Sequence, residues 1–123
     1  MGTYLTAFNN LVLKFTDDLI YIFPEENDFK VYKRGIVMLN SANAKKICIL
    51  FKNYSVLYKT QILNKDETFF INNNYNNIVV DDKEGLENII NKLKFYWKQL
   101  SDTNKDKIWD YLISLLKLSD LIE

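Results

Sequence analysis

Apolar residues in this chain recur at alternating steps of three and four, and that period constrains the fold more than any other feature. Leu5, Phe8, Val12, Phe15, Leu19 and Ile22 follow it, as do Phe29, Tyr32, Ile36 and Leu39. Leu86, Ile90, Leu93, Trp97 and Leu100 follow it again, and Ile108, Tyr111, Leu112, Leu115, Leu116 and Leu118 form a fourth stripe. Such steps return a side chain to the same side of an α-helix, so each set lines one face of an amphipathic helix. The run Ile78-Val79-Val80 is short and β-branched, but no partner strand accompanies it. The pattern therefore predicts an all-α protein.

The stretch Ala44–Leu63, AKKICILFKNYSVLYKTQIL, reads as one central helix of about 30 Å on which the others pack. Its main apolar face is Ile47, Leu50, Phe51, Tyr54, Leu57, Tyr58 and Ile62. On the far side Lys45, Lys52 and Lys59 stack in a line, with Ile49, Val56 and Leu63 as a second apolar line beside them. Two apolar lines mean either a helix enclosed by neighbours or a seam for a partner or a second copy, rimmed by lysines.

Punctuation sets the boundaries. Thr3 is the predicted cap of the first helix, and Pro24 ends it. Asp28 caps a second helix that carries Gly35, read as a point of close helix–helix approach. Asn40-Ser41-Ala42-Asn43 starts the central helix. Residues 64–82 form an Asn-rich connector with one or two helical turns at 65–71, ordered by packing of Phe69, Phe70 and Val79. Asp81 or Asp82 caps the next helix, and Thr103 with Asp106 resembles a capping box for the last. The short link at 101–103 predicts that these two helices are antiparallel neighbours. The expectation is one domain, 1–123, a compact bundle of about five helices at approximately 4–23, 29–39, 44–63, 83–100 and 104–118.

At 123 residues the chain is long enough to bury a core without disulfides or metals. It has no histidine and one cysteine, Cys48, which removes the commonest general base and leaves no zinc ligand set. Cys48 lies between Ile47 and Ile49 and reads as a packed thiol rather than a nucleophile. Its three glycines are scattered, so no phosphate-cradling loop is present. No catalytic residue, cofactor site or metal site is assigned. Glu84 and Glu87 lie three apart on the fourth predicted helix, and Asp106 and Asp110 four apart on the fifth. They suggest a Mg²⁺-dependent all-helical nucleotide hydrolase as a remote reading, but acids near helix N-termini are also what the macrodipole favours. No secretory signal is visible, no run reaches the roughly 18 apolar residues that span a membrane, and the sequon at Asn53 falls inside the central helix.

Net charge is zero, yet the charges are segregated. Between Phe29 and Lys65 lie eight bases and no acid: Lys30, Lys33, Arg34, Lys45, Lys46, Lys52, Lys59 and Lys65. Five acids precede this block at Asp17–Asp28, and six lie at Asp66–Glu87 with only Lys83 among them. The block either matches acids within the domain or meets an acidic partner or a phosphate backbone.

Three strings, DLIYIFPEENDFKVYK (18–33), NKDETFF (64–70) and WKQLSDTNKDKIWDYL (97–112), resemble a group of small helical proteins encoded by nucleocytoplasmic large DNA viruses, the giant viruses. The Lys/Asn-rich, Arg-poor composition agrees with an AT-rich genome of that kind. The resemblance implies a helical fold and a place in the host cytoplasm or the virion, and it carries no site residues. The expected function is a non-enzymatic viral interaction module: an adaptor, virion component or modulator of a host protein. The expected partner is a protein, with self-association open and no membrane. Its contact surface would include Arg34, Lys45, Ile49, Lys52, Val56 and Lys59. Nucleic-acid binding by the basic helices 29–65 is the alternative; an Arg-poor, neutral chain does not favour it.

Overall fold

The structure, a computed structural model, describes residues 2–71 and 87–122, apart from the side chains of Gly2, Glu87 and Asn88. The described residues are all-α, with no strand. In chain order the helices are α1 (Gly2–Ile22), α2 (Asn27–Ala42), α3 (Lys46–Ser55), α4 (Lys59–Leu63), α5 (Thr68–Ile71), α6 (Glu87–Tyr96) and α7 (Asp102–Asp120). A 3₁₀ turn, Trp97–Gln99, follows α6. The expected cap at Asp81 or Asp82, the run 78–80 and most of the Asn-rich connector lie outside the described residues.

Helix α1 is the axis of the bundle. Phe8, Val12, Phe15 and Leu19 are wholly buried along its predicted stripe. It packs against α2 on one side and α7 on the other. Ile36 and Phe29 seal α2, and Ile108, Leu112, Leu115 and Leu116 seal α7. All the buried apolar residues belong to one cluster. Buried hydroxyls are satisfied locally: Thr16 Oγ1 donates to the Leu13 carbonyl at 2.7 Å and Ser119 Oγ to the Leu116 carbonyl at 2.8 Å.

Several boundaries differ from the sequence reading. Thr3 lies inside α1 rather than capping it. The α2 cap is Glu26, whose carboxylate accepts the Asp28 N–H at 3.2 Å, and Asp28 itself lies in the first turn of the helix. At α7 the cap is Ser101, whose Oγ accepts from the Asn104 N–H at 3.1 Å, so the helix starts before Thr103. Helices α6 and α7 are not side-by-side neighbours. The 3₁₀ turn and the extended backbone at Leu100 (φ −79°, ψ 145°) redirect the chain, so α7 lies along α1 while α6 packs on α5 and α2.

The largest difference is in the central stretch, which is two helices and not one. Around Val56–Tyr58 the chain makes i→i−3 hydrogen bonds, Leu57 N–H to Tyr54 at 3.3 Å and Tyr58 N–H to Ser55 at 3.0 Å. Ser55 is buried and its Oγ leans back on the Lys52 carbonyl, which loosens a helix at that point. The turn lets Ile62 reach the core, 1% exposed, and swings Leu57 out to 74%. A continuous helix would have run past the bundle instead. Helix α4 then ends in a Schellman motif, with Asp66 N–H to the Gln61 carbonyl at 2.9 Å and Lys65 N–H to Ile62 at 3.1 Å. Lys65 occupies the left-handed position, φ 51°. Asp66 Oδ1 next takes the Thr68 N–H at 3.0 Å, starting the four-residue helix α5.

Helix α5 delivers Phe69 and Phe70 to an aromatic node, as the packing of these residues in the connector predicted. Phe70 stacks on Trp97 at 4.0 Å and 12°, and meets Trp109 edge-on at 5.1 Å. Phe69 contacts Tyr58 at 5.3 Å and Tyr54 at 6.3 Å. Lys94, only 6% exposed, places Nζ 5.4 Å from the Phe69 ring centre. Trp109, 3% exposed, is missing from the predicted stripe, although it lies three and seven residues before Leu112 and Leu116, in phase with the buried face of α7.

Gly35 does not mark a helix–helix contact. It is exposed, and a Cβ added there meets nothing within 4 Å. Gly35→Ala therefore raises stability by about 0.5–1 kcal/mol, read as a shift in the urea midpoint at constant m. Phe70→Ala removes the ring between two tryptophans and costs about 3–5 kcal/mol by the same measurement.

Candidate functional site

The six residues expected at a contact surface do not form one patch. Lys52, placed on the far side by the single-helix reading, is half-buried and donates its Nζ to the Ile122 carbonyl. Lys59 pairs with Asp120 at 3.2 Å. Both thus tie the α3–α4 arm to the end of α7, Lys52 from α3, which itself packs on α7, and Lys59 from α4. Ile49 and Val56 are exposed, 48% and 69%, and with Leu63 at 44% they are not core. Lys45 and Arg34 are exposed and form no ion pair among the described residues.

What the structure does bring together is an apolar corner. Val56 and Leu57 are adjacent in the α3–α4 turn, 69% and 74% exposed. The two lysines flanking that turn reach Ile122 and Asp120, which brings Leu121, 55% exposed, to the same end of the molecule. Sequence reasoning put Leu57 in the core; only the break after Ser55 exposes it.

The basic block divides into two halves. Lys33 pairs with Asp17, Lys59 with Asp120, Lys65 with Asp110 at 3.7 Å, and Lys52 caps a carbonyl of the α7 end. Lys30, Arg34, Lys45 and Lys46 have no ion-pair partner among the described residues, and all four lie on α2 or directly after it.

Two other polar groupings fix the helices. Glu26 accepts from the Tyr96 hydroxyl and lies 3.5 Å from Lys92, which also pairs with Asp28 at 2.7 Å. Phe23 stacks on Tyr96 at 4.7 Å beside this group, so the turn after Pro24 is pinned to α6. Glu67 Oε1 accepts from Trp97 Nε1 and Lys105 Nζ, both at 3.2 Å. The strings 18–33, 64–70 and 97–112 supply most of these contacts.

Cys48 is 2% exposed and burial pushes its thiol up, favouring the unreactive neutral form. Asp106 and Asp110 are exposed, and Asp110 faces Lys65. Glu84 and the Glu87 side chain lie outside the described residues. No group of three or more metal-ligating side chains is assembled among the described residues. A cleft of about 350 Å³ between α1 and α2 is lined by Thr6, Asn9, Asn10, Leu13, Val37, Asn40 and Ser41, without a charged group. Asn9 Nδ2 donates to the Ala44 carbonyl at 2.9 Å and so braces the α2–α3 turn. No described helix is long and apolar enough to cross a membrane.

The ionisable ties set a pH window. Glu26 is held below its usual range by the Tyr96 hydroxyl and the Asp28 N–H, Glu67 by Lys105 and Trp97, and Asp66 by Thr68. A depressed carboxyl stabilises the fold above its unfolded pKa, about 4, and that stability is lost as pH falls through the folded value. Burial raises the phenols of Tyr32 and Tyr111, the latter helped by Asp18, and Glu26 raises that of Tyr96. A raised phenol stabilises the fold below its unfolded pKa, about 10, and that stability is lost at higher pH. The buried Cys48 thiol is raised in the same sense and its unfolded pKa is about 8.5, so thermal stability is flat between about pH 5 and 8, and Glu26→Gln flattens part of the acid limb in melts followed by circular dichroism.

No protein-family model matches this sequence, and no curated protein or solved structure matches it at a significant level.

Proposed function

We propose that this chain is a non-enzymatic protein-interaction module that docks through its α3–α4 corner. The observation that carries this reading is the pair Val56 and Leu57, two neighbouring aliphatic side chains about 70% exposed at a turn whose folding needs neither. Ile49 and Leu63 extend the apolar character along the flanking helices, and Lys45 borders it. Exposed aliphatic residues ringed by lysine stems suit a partner with an apolar centre and a polar or acidic rim.

A viral adaptor, virion component or modulator of a host protein is the form of module that the three strings suggest. Nucleic-acid binding by helices 29–65 has weaker support, because half of that block's bases are engaged within the molecule.

The double variant Val56→Ser/Leu57→Ser keeps its melting temperature, since surface changes of this kind stay within about 0.5 kcal/mol. In quantitative affinity purification from expressing cells it loses at least one partner by tenfold or more. A variant that unfolds, or one that retains every partner, removes the corner as the contact surface.

A further inference from the structure

A second surface lies on α2, away from Val56 and Leu57; Lys45, in the link between α2 and α3, is the one residue that flanks both. Turning the helix by about 100° per residue places Val31, Gly35, Met38 and Ala42 within one narrow wedge. All four face away from the bundle: Val31 is 49% and Met38 73% exposed, Ala42 is exposed, and the space above Gly35 is open. The buried side of the helix, Phe29 and Ile36, is almost opposite.

Gly35 sits at the middle of a 16-residue helix, where it weakens the helix and relieves no contact within the molecule. A glycine flanked by Val31 and Met38 makes a shallow seat, low at the centre and apolar at both ends. A second helix crossing there brings its backbone closer than any other residue at 35 would allow. Met38, unbranched and polarisable, adapts to what lies on it.

Charge states which helix fits. Lys30 and Arg34 project along one flank of the wedge, and Lys45 and Lys46 follow its C-terminal end. These are the four bases of the basic block without an ion-pair partner among the described residues. Glu26 and Asp28, the acids nearest the start of α2, are bound to α6 through Lys92. Two copies of this face laid on each other would oppose like charges, so a second copy is disfavoured.

We propose that the outer face of α2 is a docking seat for an amphipathic helix of another protein, one whose apolar stripe is flanked on one side by Asp or Glu. Helix-in-groove recognition of this kind reads apolar anchors at steps of three and four, and the flanking carboxylates fix orientation and partner choice. Because the seat is separate from the α3–α4 corner, either surface can fail without the other.

The test is a displayed library of 20-residue helical peptides selected on the full chain, followed by fluorescence anisotropy on the enriched sequences. Enriched peptides carry apolar residues at steps of three and four with Asp or Glu on one flank. Gly35→Trp grows from an exposed position where a Cβ meets nothing within 4 Å, so it keeps the helical circular dichroism signal and weakens binding at least tenfold. Lys30→Glu/Arg34→Glu weakens it similarly and gains affinity for a peptide with Lys in place of the flanking acids. The proposal is overturned if no peptide is enriched, if enrichment shows no acidic bias, or if Gly35→Trp binds undiminished. It is also overturned if a 20-nucleotide single strand of DNA displaces the peptide with steep salt dependence, which assigns these cations to phosphate. A concentration-dependent dimer abolished by Gly35→Trp overturns it in favour of self-association.

Discussion

Phe70 is carried by a helix of only four residues, yet its ring lies between the two tryptophans of the chain. So short a helix has no stability of its own in water. It persists because Asp66 caps it, a Schellman turn aims it, and Phe69 and Phe70 bury their rings on either side. Tyr54 and Tyr58 reach this node from the α3–α4 arm, Trp97 from the end of α6, and Trp109 from α7. Without the node, the α3–α4 arm and α6 would share no aromatic contact with α7. The break in the central stretch serves the same demand, since the turn at 56–58 precedes α4 and sets where Tyr58 meets Phe69 and where Ile62 enters the core.

This explains which parts of the fold were legible beforehand. The stripes of α1 and α7 repeat over four turns or more without interruption, so periodicity alone locates them. Residues 56–58 carry no proline or glycine, and their apolar residues remain in phase with the preceding helix. Nothing local distinguishes a continuation from a turn there; tertiary packing decides. Trp109 was legible in principle, since it shares the phase of Leu112 and Leu116; only the rings that cover it come from distant segments.

The residues expected at a contact surface fall in different settings. Lys52 and Lys59 look like the rim of a seam in a continuous helix, but in the fold both reach the end of α7. Leu57, counted as core in that helix, became the most exposed aliphatic residue of the corner. Segregated charge in a neutral chain serves two ends here. One half of the bases closes the fold against acids of α1 and α7, and the other half is left gathered around α2.

The gathering of both tryptophans into one cluster has an optical consequence. Their rings are 5.5 Å apart, close enough for excitation energy to pass between them, and Lys105 places a charge 5.4 Å from the Trp97 ring centre. Intrinsic emission from this protein therefore reports one place, the junction of α5 with the α6–α7 link. Events on the outer face of α2 are spectrally silent at these wavelengths, so light emitted by the native chain follows the loss of its centre while leaving its periphery dark.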